Sequence, residues 1–294
     1  MPSFVHVSLQ IPSADWIEEM FLVFSEDIPS ENLGFVDSTA ASIDIAVGSR
    51  EFTITQSPGL LRSSVDGGTT GAVLWKVTPL VAAWLVNKDN FLWQNSILTD
   101  EATIVELGCG ISGLIGLSMA PLLARYILTD QSYVVKHLKH NIAANGPLSL
   151  FGVARKGESR AKFRPRGVLD IFTLDWETDS AINIRNALED RGDVTMLVAC
   201  DCIYNDFLIK PFVQMCLEIC ALHSQGQSQA PTIILVAQQL RSDEIFLEWL
   251  RVMTATFHVW RVPDNCLSKE LQSGSGLILH LALVKEQHEI GGRS

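Results

Sequence analysis

Residues 102–117 read ATIVELGCGISGLIGL, and this stretch decides the fold of the chain. A short apolar run is followed directly by glycines in the pattern Gly-x-Gly-x-x-Gly, and an apolar segment of helical character comes next. Glycines let the backbone turn sharply, and they leave no Cβ to block a ligand that lies against the start of a helix. The order of strand, glycine turn and helix predicts the first unit of a nucleotide-binding α/β domain.

Outward from this turn, apolar strand-like segments alternate with segments of helical spacing. The predicted strands cover residues 102–107, 126–130, 168–176, 194–200, 232–238, 257–262 and 277–284. The predicted helices cover residues 77–85, 113–124, 134–142, 212–222 and 242–253. Such alternation predicts an α/β fold with a doubly wound, mostly parallel seven-stranded sheet of Rossmann-like type. The last two strands have no helix between them, which predicts an antiparallel pair at the end of the sheet.

The first 70 residues differ in character from the rest of the chain. Residues 4–11 and 41–56 are short β-branched segments, separated by serine, glycine and proline. We therefore predict a β-rich N-terminal extension over residues 1–70, with no chemistry of its own, followed by the main domain over residues 71–294.

The chain is acidic, with 22 Lys and Arg, 33 Asp and Glu and a net charge of −11 over its 294 residues. An acidic surface repels phosphate backbones and favours basic protein partners, which counts against a nucleic-acid binder. No apolar run reaches the length of about 18 residues that a membrane span needs, and the first residues lack a signal-peptide pattern. We expect no membrane segment and a cytoplasmic location, with the nucleus as the alternative.

The six cysteines lie mostly inside apolar segments. None forms a Cys-x-x-Cys pair with neighbouring histidines, so we expect free core thiols and no metal site.

Residues 151–166, FGVARKGESRAKFRPR, form a strongly basic segment. A solvated loop is one interpretation of such a run. The other is a contact surface for RNA or for an acidic patch on a partner, so that neutralising its Arg and Lys residues would weaken partner binding in a salt-dependent way. We expect nucleic-acid contact only through this segment.

Two carboxyl residues near the glycine turn indicate the cofactor. Asp130 ends the second strand, where a carboxylate can accept hydrogen bonds from both hydroxyls of a ribose. Glu106 lies two residues before the first glycine, where a carboxylate suits the positive amino group of a methionine moiety and repels a pyrophosphate. No second glycine-rich turn follows. These features predict S-adenosylmethionine as the cofactor, with an NAD(P)-dependent oxidoreductase and a non-catalytic cofactor-binding protein as the alternatives.

Five segments carry a resemblance to a known family. They are TGAVLWKVTPLVAAWL at residues 70–85, VELGCGISGLIGL at 105–117, LTD at 128–130, LDW at 174–176 and VACDCIY at 198–204. In this order they resemble the seven-strand protein lysine methyltransferases, whose signature after a strand is Asp-x-x-Tyr. The resemblance covers about residues 70–285, and Trp75 together with the Asp-x-x-Tyr signature is its more specific part.

The resemblance implies cofactor contacts for several residues. Trp75 would lie beside the cofactor. Gly108, Cys109 and Gly110 would form the loop under its methionine part. Asp130 would hold the ribose.

Further contacts are implied on the adenine side of the site. Asp175 and Trp176 would border the adenine, with Trp176 packed on its face, and Cys200 would line the pocket. Structural alternatives exist, because Trp75 and Trp176 are also typical core aromatics and Asp130 could be the N-cap of the next helix.

The resemblance also implies a lysine acceptor in a protein. A lysine amine has a pKa of about 10.4 and must lose its proton to attack, which desolvation beside a cation favours. We expect Asp201 to position the amine by hydrogen bonding and Tyr204 to shape the channel; a hydroxyl that tethers a loop is the alternative for Tyr204. The signature here is not Asn/Asp-Pro-Pro-Tyr, which suits planar nitrogens, and this counts against glutamine or adenine acceptors.

The resemblance favours a ribosomal large-subunit protein as the substrate. A basic protein of this kind would fit the acidic chain. Elongation factors, chaperones and small molecules are the alternatives that the residues leave open.

Overall fold

The structure is a computed structural model that describes residues 9–11, 15–26, 28, 34–61, 70–146, 167–188, 193–222 and 230–285. The basic segment at 151–166 lies outside these residues. None of the helices described is long and apolar enough to cross a lipid bilayer.

The described residues contain ten strands that form one large sheet and one hairpin. The strands are β1 (Leu9–Ile11), β2 (Ser42–Val47), β3 (Arg50–Thr55), β4 (Thr103–Leu107), β5 (Arg125–Asp130), β6 (Val168–Thr173), β7 (Met196–Cys200), β8 (Ile233–Gln239), β9 (Phe257–Arg261) and β10 (Leu277–Val284). Eight of them form the sheet, in the order β1-β9-β10-β8-β7-β4-β5-β6. The neighbours from β8 to β6 are parallel, and those from β1 to β8 are antiparallel. The predicted seven-stranded sheet, with β9 and β10 as an antiparallel pair, is confirmed.

Helices cover both faces of the sheet. They are α1 (Trp16–Phe24), α2 (Pro58–Leu61), α3 (Val77–Val86), α4 (Phe91–Gln94), α5 (Leu114–Met119), α6 (Ser132–Asn145), α7 (Ile182–Leu188), α8 (Asp206–Cys220) and α9 (Asp243–Thr256). The five predicted helices correspond to α3, α5, α6, α8 and α9. The short helices α2, α4 and α7 were not predicted, because segments of four to seven residues carry little periodicity.

The central strands form because their sequences are continuously apolar. Every residue of β4 and of β7 is buried, as expected for parallel strands with helices on both faces. One core cluster contains Trp84 and Leu114, and the other contains Phe212 and Trp249. Because β4 is buried on both faces, its carboxyl residue Glu106 lies in the interior.

The strand order places a crevice at one edge of the sheet. The chain runs from β4 outward through β5 to β6 and then returns to β7 on the other side of β4. Such a reversal leaves a crevice at the carboxyl ends of the strands, where open α/β sheets bind ligands. The glycine turn after β4, Asp130 at the end of β5 and Asp201 directly after β7 therefore meet at this edge.

The N-terminal segment contributes a strand and a helix to the main body. β1 pairs with β9 and adds an eighth strand to the sheet. The helix α1 in this segment was not predicted from the sequence. It is only nine residues long, and it packs on α9, where the Phe24 and Phe246 rings lie 5.7 Å apart. So short a helix depends on tertiary packing, which the local sequence does not reveal.

The hairpin β2–β3 agrees with the predicted β-branched segments. Its side chains Phe52 and Ile54 are buried in the same core cluster as Trp84. Two asparagines of α6, Asn141 and Asn145, hydrogen-bond to the backbone of β3. The division of the chain at residue 70 stays a prediction.

Candidate functional site

A cavity that is open to solvent lies at the carboxyl edge of the sheet. The structure brings all the site residues predicted from the sequence to its wall. They are Trp75, Glu106, Gly108, Cys109, Gly110, Asp130, Asp175, Trp176, Cys200, Asp201 and Tyr204. The role of each residue stays a prediction.

Gly108 is the glycine of the turn that lies between two parts of the cavity wall. Its φ of 68° lies in the left-handed region that favours glycine. A Cβ at this position would lie 2.9 Å from the Cβ of Cys202 and 3.3 Å from the Trp176 ring. Its amide donates to the backbone oxygen of Thr129 at 3.0 Å, which ties the turn to β5. A side chain at Gly108 would therefore push apart two parts of the cavity wall.

Glu106 is a buried carboxyl group at the inner end of the cavity. Its Oε2 accepts a hydrogen bond of 2.8 Å from the Tyr126 hydroxyl. Burial raises the pKa of Glu106 to about 8, and the nearby Asp130 adds to the rise, while the Tyr126 bond opposes it. The group is therefore largely protonated at neutral pH unless a cation comes close to it.

Asp130 binds the glycine turn directly. Its Oδ2 accepts from the Gly110 amide at 2.7 Å, and its Oδ1 accepts from the Gln131 amide at 2.7 Å. Burial raises the pKa of Asp130 to about 6, although both hydrogen bonds oppose the rise. The first residue of α6 is Ser132, and Gln131 occupies the N-cap position, so Asp130 is not the N-cap of this helix.

The charged groups of the wall are all acidic. Among the described lining residues, Glu106, Asp130, Asp175 and Asp201 carry carboxyl groups, and none is lysine, arginine or histidine. Each of these carboxyl groups already accepts a hydrogen bond from the protein, and a carboxylate has about four acceptor sites, so sites remain for donors on a ligand. The ammonium group and ribose hydroxyls of S-adenosylmethionine can donate to these sites, whereas the pyrophosphate of a dinucleotide has only acceptor oxygens. The residues present therefore fit S-adenosylmethionine.

Two half-buried tryptophans stand on the wall. The Trp176 ring packs edge-on against Phe212, with 5.3 Å between ring centroids. The Trp75 ring lies 4.4 Å from the Phe35 ring, and its Nε1 donates to the backbone oxygen of Thr70 at 3.0 Å. Each ring thus packs against protein and also borders the cavity, so structural packing and a ligand contact are compatible.

Three cysteines of the wall are buried thiols. Burial raises the pKa of the Cys109, Cys200 and Cys202 thiols well above the usual value, and the nearby carboxylates add to the effect. The Cys200 thiol lies 3.9 Å from the Thr78 hydroxyl. Thiols kept protonated in this way contribute bulk and polarity to the pocket but are poor nucleophiles.

Asp201 is held by an ion pair that the sequence did not predict. Arg241 Nη1 donates to Asp201 Oδ1 at 2.8 Å, and Arg241 Nη2 donates to Oδ2 at 2.6 Å. The Gln239 amide also donates to Oδ1, at 3.1 Å. Arg241 lies forty residues after Asp201 and carries no motif of its own, so no local signal could have indicated the pair.

Two tyrosines stand at the exposed rim of the cavity. Tyr204, from the signature, is 38% exposed, and Tyr133 near the start of α6 is 37% exposed. Burial raises the pKa of Tyr133, and Asp130 and Tyr204 raise it further. Both tyrosines line the cavity. Tyr133 was missed, although its place three residues after Asp130 offered a positional signal.

The comparisons with known proteins agree with this geometry. The profile of the family described as Lysine methyltransferase matches residues 56–252, which is more than half of the chain. The chain is 28% identical over 253 residues to the protein named Ribosomal lysine N-methyltransferase 5 of Candida glabrata, with 70% of each chain covered. It is 34% identical over 185 residues to the protein of that name from Zygosaccharomyces rouxii, covering 55% of this chain and 58% of that protein.

A further relative has a different name. The chain is 28% identical over 258 residues to the Schizosaccharomyces pombe protein named Diaminohydroxyphosphoribosylamino-pyrimidine deaminase, covering 85% of this chain and 55% of that protein. The name belongs to that protein, and nearly half of that protein lies outside the match. The eleven predicted residues of the cavity wall all fall inside the family match at 56–252.

Proposed function

The chain belongs to the lysine methyltransferase family, and on this premise we propose that it transfers a methyl group from S-adenosylmethionine to a lysine side chain of a ribosomal protein. The observation that carries the proposal is the acidic, partly apolar cavity. Its described wall has four carboxyl residues and no basic one, which suits a cationic cofactor together with a cationic acceptor.

The cofactor would be held by residues at the inner part of the cavity. When bound, S-adenosylmethionine supplies a methyl group activated by a sulfonium. Glu106 and Asp130 both line the cavity; Glu106 would bind the ammonium of the methionine part, and Asp130 would accept from the ribose hydroxyls. Asp175 and Trp176 would border the adenine, and Trp75 would lie beside the cofactor on one side of the cavity.

The acceptor amine must lose its proton before it can attack. At pH 7 this costs a lysine about 4.6 kcal/mol in water, since its pKa is about 10.4. Apolar side chains such as Leu74, Leu174 and Leu208 form part of the wall and exclude water. Desolvation beside a cationic cofactor lowers the pKa of the amine, so the reaction does not need a strong base in the protein.

Asp201 and Tyr204 would receive the acceptor at the mouth of the cavity. A carboxylate offers about four acceptor sites. Arg241 and the Gln239 amide account for three hydrogen bonds to Asp201. At most one site is left on this side chain, which is 1% exposed, and through it Asp201 would orient the amine, while the ring of Tyr204 would shape the entrance.

The proposed substrate class rests on the relatives. Two of them carry the name Ribosomal lysine N-methyltransferase 5, and a basic ribosomal protein complements a chain with a net charge of −11. A cytoplasmic location is part of this proposal.

Incubation with radiolabelled S-adenosylmethionine tests the function. The purified protein would be added to an extract of cells that lack it, and the labelled products would be resolved by gel and identified by mass spectrometry. We expect one labelled ribosomal protein that contains methyl-lysine. The Asp201→Ala variant should lose at least about tenfold in labelling, because the amine is no longer oriented.

Other products would contradict the proposal. Label in RNA or in a small molecule would contradict a protein lysine as the acceptor. Wild-type labelling by the Asp201→Ala variant would contradict the proposed role of Asp201. Binding of NADH without binding of S-adenosylhomocysteine would overturn the cofactor.

A further inference from the structure

Arg241 lies just behind the cavity wall, two residues after the end of β8. Its guanidinium makes a two-pronged contact with Asp201, whose side chain is only 1% exposed. Charged groups paired in this bidentate way are held in a defined orientation as well as attracted to each other. Arg241 thus fixes the direction in which the Asp201 carboxylate points.

The same guanidinium stacks on Trp75. The Arg241 Cζ lies 4.8 Å from the centroid of the Trp75 ring, in the arrangement of a cation–π contact. Trp75 also lies against Phe35, which comes from the segment before the family match. One side chain therefore connects two residues of the cavity wall that are far apart in sequence.

The backbone of Asp201 adds a reason for this connection. Its φ of 54° lies in the left-handed region, which is uncommon for residues other than glycine and costs free energy. The turn is tied to β8 because the Asp201 amide donates to the Ala237 oxygen at 2.8 Å and the Gln239 amide donates to the carboxylate. Such a conformation persists only where several contacts determine it together.

We propose that Arg241 is a positioning residue that holds Asp201 and Trp75 as one rigid wall of the cavity. Arg241 acts through these two residues and does not contact the cofactor or the acceptor. A lysine cannot replace it fully, since an ammonium lacks the planar fork that binds a carboxylate and stacks on a ring at once. The inference rests on the proposed function in one respect, namely that the cavity binds the cofactor.

The experiment measures the affinity for S-adenosylhomocysteine by calorimetry and the methylation rate of the same preparations. Arg241→Met should weaken S-adenosylhomocysteine binding by about tenfold or more, because both wall residues lose their anchor. The affinity of the Arg241→Lys variant for S-adenosylhomocysteine should lie between that of Arg241→Met and that of the wild type. The loss in kcat should exceed the loss in binding, since Asp201 orients the acceptor.

Arg125→Met is the matched control. Arg125 also makes a short ion pair, at 2.6 Å to Asp170, but at the start of β5, on the sheet edge opposite the cavity. This variant should lower the melting temperature while the folded protein binds S-adenosylhomocysteine within about twofold of the wild type. A general loss of stability is thereby separated from a loss of positioning.

A double-variant cycle decides whether Arg241 acts through Asp201. The effect of Arg241→Met on S-adenosylhomocysteine binding should be smaller in an Asp201→Asn background than in the wild type. Equal effects in the two backgrounds, or wild-type binding by Arg241→Met, would overturn the inference. If the wild type binds S-adenosylhomocysteine but methylates no protein, the proposed function fails, and the binding cycle still decides the role of Arg241.

Discussion

At the scale of single residues, the chemistry of the cavity depends on carboxyl groups whose protonation a ligand can change. Glu106 lies where burial makes the charged form costly, and its hydrogen bond from Tyr126 compensates this cost only in part. A bound ammonium would favour the charged form, so cofactor binding and loss of a proton from Glu106 are linked.

This linkage predicts how pH affects binding. Since the pKa of Glu106 in the ligand-free protein is about 8, the affinity for S-adenosylhomocysteine should rise between pH 6 and pH 8, by at most about tenfold per pH unit. Near pH 6 the titration of Asp130 makes the affinity rise more steeply with pH. Calorimetry in buffers of different ionisation enthalpy would measure the released proton. The Glu106→Gln variant should bind S-adenosylhomocysteine more weakly, and its affinity should depend little on pH above pH 7. The control variant Glu101→Gln, at an exposed position before β4, should bind with the same pH dependence as the wild type.

The same pKa sets the sign of a stability change. Between the ordinary carboxyl pKa of 4.5 and about 8, the folded protein keeps a proton on Glu106 that the unfolded chain has released. The free energy of unfolding contributed by this group therefore falls as pH rises through this window. A thermal melt series of the ligand-free wild type against Glu106→Gln would contradict this assignment if both showed the same pH dependence.

At the scale of elements, the hairpin β2–β3 is joined to the main body through α6. The Asn141 side chain accepts from the Thr55 amide at 2.9 Å and donates to the oxygens of Thr55 at 2.9 Å and Ile111 at 2.8 Å. Ile111 belongs to the glycine turn, so one fully buried amide connects the hairpin, a helix and the site.

Asn141→Leu should therefore destabilise the fold. The variant keeps the approximate volume but leaves buried backbone groups without their partners, at a cost of about 3 kcal/mol in the free energy of unfolding. Asn145→Leu is the matched control, because Asn145 makes the same pair of hydrogen bonds with Thr53 at the surface, where water can replace them. The control should cost less than about 1 kcal/mol. Denaturant unfolding measures both, and equal costs would contradict the role given to Asn141.

At the scale of the whole molecule, the charge balance governs encounters with the substrate. A net charge of −11 attracts a basic protein and repels nucleic acid over distances of about a Debye length. The cofactor carries little net charge after methyl transfer, so its binding should depend less on salt than that of the substrate.

We predict that kcat/KM for the protein substrate falls severalfold as salt rises from about 0.05 M to about 0.3 M, mainly through KM. S-adenosylhomocysteine binding, measured at the same salt concentrations, should change little. For a substrate peptide whose flanking Lys and Arg residues are replaced by neutral residues, kcat/KM should not change with salt concentration. If kcat/KM for the native substrate also did not change with salt concentration, the acidic surface would not take part in substrate recognition.

The sequence by itself determined the α/β fold, the family and the residues that meet at the cavity. The signals in the sequence were local. They were a glycine turn between a strand and a helix, strands whose residues are continuously apolar, and an acidic residue at the end of a strand. Because parallel strands bring their carboxyl ends to one edge, residues predicted separately, such as Glu106, Asp130 and Asp201, had to meet there. The family match confirms the prediction drawn from the five segments.

Only the tertiary structure decided which side chains hold these residues in place. Arg241 pairs with Asp201 and stacks on Trp75, α1 docks on α9, and Asn141 joins the hairpin to the glycine turn. Each of these contacts links segments far apart in the chain, and none leaves a periodic pattern in the local sequence. Periodicity reports which face of an element is buried, whereas the partner of a polar side chain depends on the packing of distant elements.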